Sequence, residues 1–417
     1  MNYEQRHKTS PQVFIRERKL PFKTVLQLLL RKSVKPLQLV LNEWTDNLDY
    51  QISASALSQA RRKLKHTAFI ELLEKCVVQV MYRVGEHERF KGKRLLALDG
   101  TSLRLPNTEE TRERFGLIEH MSGSKQRASN QVEAKATILY DVLNEIPISG
   151  ELARGRTYDL KASKPHLKNI SRDDVLIADR AYGSYQFFTE ILARNADFVI
   201  RCKKNTFEKQ HGLFESSDQR EKIVELSCPT KLTASTRDIA LSLKVRFVRI
   251  PLDTGEIEVL ATSLVDTKAF PYEDFKELYY KRWGIETYFH TLKSRLSIDN
   301  FTGKSVEAIM QDFYSTIFVS GLETIITCEA NEELGSKATK HYQKVNKAIA
   351  FHTIKNKVVK MVFDPIPNAE DEIQKLFLQN PTLVRPYRDK PQRVPSTVDN
   401  KTRNSLYFQR YGRKHVF

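Results

Sequence analysis

The sequence predicts a mixed α/β protein with helical segments at both ends and a strand-rich stretch set inside the α/β part. Three observations predict it. Between residues 94 and 201, short apolar runs alternate with amphipathic helical stretches, as in a mixed sheet covered by helices. Residues 207–265 carry mostly strand signals, with Pro251-Leu252-Asp253-Thr254-Gly255 as a turn between two of them. Up to about Glu88, and again after Val306, apolar residues recur at the i+3 and i+4 spacing of helices.

Taken in order, Phe22–Leu30, Pro36–Trp44 and Phe69–Tyr82 read as helices. Between the last two, Ser53–Lys65 reads as a capped helix, with Ser53 or Ser55 as N-cap and Arg61, Arg62 and Lys63 at its basic end. Small residues first and cations last suit a helix laid against DNA; the plainer reading is a solvated helix whose cations offset its negative dipole end. Arg94–Asp99 is an apolar run ending in Asp-Gly-Thr, as when a buried strand enters a turn. Ser122–Asn130 reads as a polar loop, and Ala134–Val142 with Ile146–Leu152 as a hairpin. Asp159–Ile170 is helical. Asp174–Asp179 then repeats the earlier device, an apolar strand ending in Asp, before a helix over Tyr185–Arg194 and a strand at Phe198–Arg201. Lys222–Leu226, Asp238–Ile250 and Glu256–Ser263 are strands, and a long helix starting near Pro271 carries Glu286.

Composition bounds the function. A chain of 417 residues suggests two or three domains, and 40% hydrophobic residues suffice for real cores. Lys and Arg outnumber Asp and Glu by 68 to 51, a net charge of +17 that calls for a polyanionic partner, nucleic acid before an anionic membrane surface. There is no signal-peptide pattern and no apolar run near the ~20 residues of a membrane span, so no membrane role and a cytoplasmic location are expected. Cys76, Cys202, Cys228 and Cys328 form no CxxC and read as reduced thiols. The absence of HxH, HExxH, GxxxxGK[ST] and GxSxG argues against a zinc hydrolase, a P-loop ATPase and a serine hydrolase. Pro381–Phe417 mixes Arg and Lys with Tyr407, Phe408 and Tyr411, which fits a segment tracking a phosphate backbone, or simply a basic tail.

The stretch from Tyr279 to Lys293 is the most informative. It spaces its polar groups as Y-x2-R-x3-E-x6-K. On one continuous helix, with Tyr279 at zero, Arg282 lies at roughly −60°, Glu286 at about −20° and Lys293 at about −40°. One face then holds a carboxylate between two cations. Asp99 and Asp179 each end a strand, where function collects in α/β sheets. Three convergent carboxylates make a hard oxygen site for Mg²⁺ or Mn²⁺, and two such ions about 3.5–4 Å apart can clamp both oxygens of a phosphoryl displacement. Each residue has a plainer reading: an Asp after a strand forms turns, and Glu286 can pair with Arg282 one turn away for a few tenths of a kcal/mol. Tyr279, Tyr280, Trp283, Tyr288 and Phe289 imply a packed helix lining a cleft, with Trp283 and Phe289 in the core.

These residues resemble bacterial insertion-sequence transposases of the DDE superfamily. Tyr279, Arg282, Glu286 and Lys293 match the family's Tyr-Arg-Glu-Lys signature at all four positions. Asp99 in Leu-Asp-Gly-Thr matches its first catalytic Asp, and Asp179 in Ala-Asp-Arg-Ala-Tyr-Gly its second, with Ala181 in place of the usual Gly. The resemblance runs from about Phe14 to Ile354. It implies a ribonuclease-H-like core interrupted by a β-rich insertion domain. The division is a helical DNA-binding region over 1–90, core over 91–206, insertion over 207–266, core again over 267–305, and a helical region with a basic tail over 306–417. It implies cut-and-paste transposition of double-stranded DNA by a homodimer with two Mg²⁺ ions, for which Mn²⁺ may substitute, held by Asp99, Asp179 and Glu286. Tyr279, Arg282 and Lys293 would hold the DNA end, and Arg180, Arg61, Arg62 and Lys63 are further DNA-contact candidates. Relatives that form a DNA hairpin place a Trp in the insertion; here both Trp44 and Trp283 lie outside it, leaving an aromatic such as Phe247 to substitute. The alternatives are a transposase-derived DNA-binding protein without catalysis, and a ribonuclease-H-like nuclease that cuts without joining.

Overall fold

Nine strands among the described residues form one sheet: β1 (Arg94–Leu105), β2 (Leu117–Ser122), β3 (Lys125–Asp141), β4 (Ile146–Arg154), β5 (Asp174–Ala178), β6 (Asp197–Arg201), β7 (Glu221–Ser227), β8 (Ser242–Pro251) and β9 (Ile257–Thr262). The structure, a computed structural model, describes residues 2–16, 19–46, 48–83, 87–122, 125–204, 206–207, 211–215, 219–233, 240–361 and 367–384. Two units divide them. Met81–Arg104 with Arg112–His290 carries the sheet, and Met1–Val80, Leu105–Thr111 and Thr291–Phe417 make a mainly helical unit. The Pro381–Phe417 tail lies outside the described residues after Val384.

In the sheet unit the order is β2-β3-β1-β5-β6-β9-β8-β7, with β4 on β3. β1, β5 and β6 run parallel at the centre. Leu95–Leu98, Val175–Ala178 and Phe198–Ile200 are all fully buried, which is why they read as unbroken apolar runs rather than alternating ones. The β3–β4 hairpin is present as expected. Asp141 shapes its turn, accepting from the backbone N–H of Leu143 at 3.0 Å and of Asn144 at 3.1 Å, while Glu145 takes φ 52°.

Several expectations change here. Lys125–Asn130, expected within a loop over Ser122–Asn130, belongs to β3, whose backbone pairs with β2 down to Lys125 and Ser122; residues 123 and 124 lie outside the described residues. The strand-rich stretch is built as β7, β8 and β9, but β9 pairs antiparallel with β6, so these strands prolong the core sheet. Phe247 is fully buried within it, so it offers no ring to an extruded base. β1 does not stop at Asp99; it runs on to Leu105. The helix from Pro271 is two helices, Asp274–Tyr280 and Trp283–Ser294, with a break at Lys281 and Arg282. There the backbone tightens to i−3 bonds, Arg282 to Tyr279 at 3.0 Å and Gly284 to Lys281 at 2.9 Å.

In the helical unit, Phe22–Leu30, Leu37–Thr45, Ala54–Arg61 and Thr67–Leu73 are helices. The 31-residue helix Val306–Ser336 is the centre, capped by Ser305 and buried almost continuously from Ala308 to Glu323. No helix among the described residues is long and apolar enough to cross a membrane. Arg61 belongs to this core. It is 4% exposed, and its guanidinium donates to Gln311 Oε1 at 2.8 Å, Thr302 Oγ1 at 2.9 Å, Ala308 O at 3.0 Å and Asp312 Oδ1 at 2.8 Å. A guanidinium so committed cannot also hold a phosphate, which corrects its reading as a DNA contact. Arg62 is exposed and Lys63 half-buried.

Candidate active site

The parallel pairing of β1 with β5 ends at Leu98 and Ala178. Asp99, still on β1, and Asp179, the first residue past β5, come next, so they sit side by side where the central sheet opens. Each is held by the turn it makes: Asp99 Oδ1 accepts from Gly100 N at 2.8 Å, and Asp179 Oδ1 from Ala181 N at 2.7 Å. The plainer turn-forming role is therefore present. It leaves the second oxygen of each carboxylate for other work.

Glu286 stands in the first turn of the Trp283–Ser294 helix. Arg282 Nη1 donates to its Oε1 at 2.8 Å. This is the expected i,i+4 pair, with the Arg282 side chain only 9% exposed and the Glu286 side chain 39%, so a buried guanidinium meets a carboxylate that is open to solvent on its other side. The three acids share one electrostatic field. Asp99 is pushed up to about 6, first by burial, with the Gly100 N–H and the Arg282 cation opposing and the negative charges of Asp179 and Glu286 adding. Arg282 is held above its usual value: burial works against its charge, and Tyr279, Glu286 and Asp99 together outweigh that.

Two buried donors face this region without acceptors. Tyr279 Oη and Arg282 Nε have no hydrogen-bond partner, although their residues are 5% and 7% exposed. An unpaired buried donor is costly. The arrangement therefore fits an acceptor that arrives with substrate, and an anionic phosphate oxygen has the right chemistry. Tyr279 lies on the helix before the break, so the shared face of the signature rests on the junction of two helices. Trp283, expected in the core, is 51% exposed with the Arg282 guanidinium 4.9 Å from its ring centroid, while Phe289 is buried as expected. Arg180 is exposed beside Asp179. Lys293 is half-buried at the far end of the same helix as Glu286, its ammonium pulled below its usual value by burial against the opposing pull of Asp299.

Sequence reasoning missed three neighbours. Arg201 ends β6, next to β5, and pairs with Glu258 on β9 at 2.8 Å; the strand-end rule that found Asp179 would have found it. Tyr182 is fully buried, its hydroxyl 3.1 Å from Ser163 Oγ and driven well up, first by burial and further by Asp99, Asp159 and Asp179. Asp159 pairs with Lys135 at 2.7 Å, and its Oδ1 would stand 2.8 Å from a Cβ at position 100, so a side chain beside Asp99 would have to displace that carboxylate. No local pattern marks either of the last two.

Three carboxylates of this kind fit a hard divalent cation by donor chemistry. The geometry closes only in part. Among the described residues no three of His, Cys, Asp and Glu are gathered to hold a metal ion, and Glu286 is turned to Arg282 instead. All four cysteines are free thiols.

The transposase DDE domain family matches residues 90–322, which include all three acids. Among known proteins, the transposase InsG for insertion sequence element IS4 of Escherichia coli K12 is 19% identical over 320 residues, covering 74% of this chain and 70% of InsG. Among solved structures, the cryo-EM synaptic complex of piggyBac transposase with hairpin DNA aligns at a TM-score of 0.41 and 12% identity, over 92% of this chain and 81% of that one.

Proposed function

Because this chain belongs to the transposase DDE domain family and is a DNA transposase, we propose that Asp99, Asp179 and Glu286 are its catalytic acids and hold two divalent metal ions, Mg²⁺ or Mn²⁺. When bound, such ions activate the attacking hydroxyl and stabilise the departing 3′-oxygen. The residues of the chain do the rest. Asp99 and Asp179 are fixed in place by their own turns. Glu286 would be the third carboxylate to hold a cation, and the Arg282 guanidinium and Tyr279 Oη, each with an unpaired buried donor, would take a phosphate oxygen of the DNA end. Lys293, Arg180 and Lys63 supply further phosphate contacts on double-stranded DNA, and Arg62 is a further DNA contact. The reaction is cleavage at the element's ends followed by attack of the freed 3′-hydroxyls on target DNA. The protein works as a homodimer on paired ends, in the bacterial cytoplasm on nucleoid DNA. The supporting observation is one buried carboxylate, Asp99, raised first by its burial and further by the charges of Asp179 and Glu286, beside a buried, incompletely satisfied arginine.

A strand-cleavage assay on duplexes flanking the coding region tests this. Wild type should cut in Mg²⁺ and not in EDTA, and Asp99→Asn, Asp179→Asn and Glu286→Gln should each lose activity by about 1000-fold or more, roughly 4 kcal/mol of transition-state stabilisation. Activity within a few-fold of wild type in any one variant would sink that residue's role. Joined products on a target plasmid separate transposition from cutting alone.

A further inference from the structure

The Ala54–Arg61 helix is fastened at both ends, and the face left over consists of hydrogen-bonding groups. At its start Ser53 Oγ accepts from Ala56 N at 3.1 Å and Gln38 Oε1 from Ala54 N at 2.9 Å. At its end Gln311 Nε2 donates to the carbonyls of Arg61 at 3.0 Å and Leu64 at 2.6 Å, beside the buried Arg61 cluster. Leu57, Ala60, Arg61 and Leu64 face inward. Ser55, Ser58, Gln59 and Arg62 face outward and are exposed.

Three features separate this face from an ordinary solvated one. From Tyr50 to Ile70 there is not one Asp or Glu, while Arg61, Arg62, Lys63, Lys65 and His66 all fall inside that span; solvated helices normally mix both signs. The outward residues of the first turns are small, so the backbone can approach a partner closely. Beside them lies a cleft of about 430 Å³, lined by Lys19, Gln38, Gln51 and Ser53 with Leu20, Ile52 and Ala56. Lys19 stands there over the Tyr50 ring, 5.1 Å from its centroid. A rigid polar reading face flanked by a cation fits the major groove of a duplex, which admits one α-helix and offers donors and acceptors on every base pair.

We infer that the Ser55, Ser58, Gln59 and Arg62 face reads base edges in the major groove of duplex DNA, with Gln59 and Arg62 as the discriminating side chains. Gln pairs two-fold with adenine and Arg with guanine. Gln59 Nε2 spends its bond on Ser55 Oγ at 3.3 Å, a long contact that a base edge replaces without loss. The inference rests on the transposase reading and names the surface that chooses the DNA end; the three acids take no part in it.

The test is selection by the full chain, in EDTA, from a duplex library randomised over two helical turns, with the bound fraction sequenced. Wild type should enrich one motif. Gln59→Ala, and Ser58→Ala with Gln59→Ala, favour the helix intrinsically, and circular dichroism checks that they keep it. Both should lose discrimination at adjacent base pairs by about tenfold, whereas Lys63→Ala should weaken all sequences alike. Undiminished preference for the wild-type motif in the Gln59 variants, or no motif at all for wild type, overturns the inference. Because selection needs no metal, a chain that selects a motif yet cuts nothing sinks the catalytic reading alone. One that cuts while Gln59→Ala leaves its motif intact sinks only this one.

Discussion

Single residues in the sheet unit are held by demands that sequence spacing does not reveal. Gly100 is a case: its missing side chain makes room for Asp159 Oδ1, which would stand 2.8 Å from a Cβ, with Ala136 O at 3.3 Å. Gly100→Ala should therefore cost about 1–3 kcal/mol in a urea titration and depress strand cleavage by moving Asp99; equal stability and activity would show that the space is not needed. His166 is another. It is fully buried between Thr137 Oγ1 at 2.9 Å and Ser149 Oγ at 2.7 Å, and burial drives it from 6.5 down to about 3. The folded state keeps it neutral while the unfolded chain takes a proton below 6.5. Its contribution is thus fully present above 6.5 and is lost as pH falls toward 3, by up to ~1.4 kcal/mol per pH unit. Urea midpoints should fall with acidification in that window, and His166→Gln should flatten the slope; an unchanged slope would clear His166. The places of Asp99 and Asp179, just past the paired β1 and β5 residues, and of Glu286 on a helix were legible because strand ends and helical spacing are local patterns. Asp159, Tyr182 and His166 were not, since their significance comes from neighbours brought together by the sheet.

At the scale of elements, periodicity found the hairpin of β3 and β4 and the buried strand before Asp179, because apolar runs and turn residues carry those signals directly. It missed the break at Lys281 and Arg282. Both residues are good helix formers, and an i−3 bond leaves no mark on spacing. It also mistook Arg61, whose partners Gln311 and Asp312 are 250 and 251 residues away. Arg61→Met should destabilise the helical unit by about 3–5 kcal/mol, since Asp312 would remain buried without its cation. Adding Asp312→Leu should recover part of that loss. Urea titrations of the two single variants and the double variant measure the coupling, and simple additivity would deny it.

For the whole molecule, the net charge of +17 sets an expectation independent of any one site. Binding to a random duplex should weaken by about 10³-fold or more between 50 and 200 mM salt if six or more phosphates are engaged. Fluorescence anisotropy across a salt series reads this directly, and a flat profile would mean that the surplus charge is not directed at DNA. The helical unit is also assembled from three separate stretches of chain, and this bears on how the protein is made. Asp312 leaves the ribosome 251 residues after Arg61. At ~5–20 residues per second that is a wait of roughly 13–50 s. Throughout it, the helix bearing Gln59 lacks the Gln311 and Asp312 partners that fasten its C-terminal end. The Arg61 guanidinium stays without these partners in that interval, and a ribosome that stalls before Gln311 leaves a fragment whose helix is fastened at its start alone.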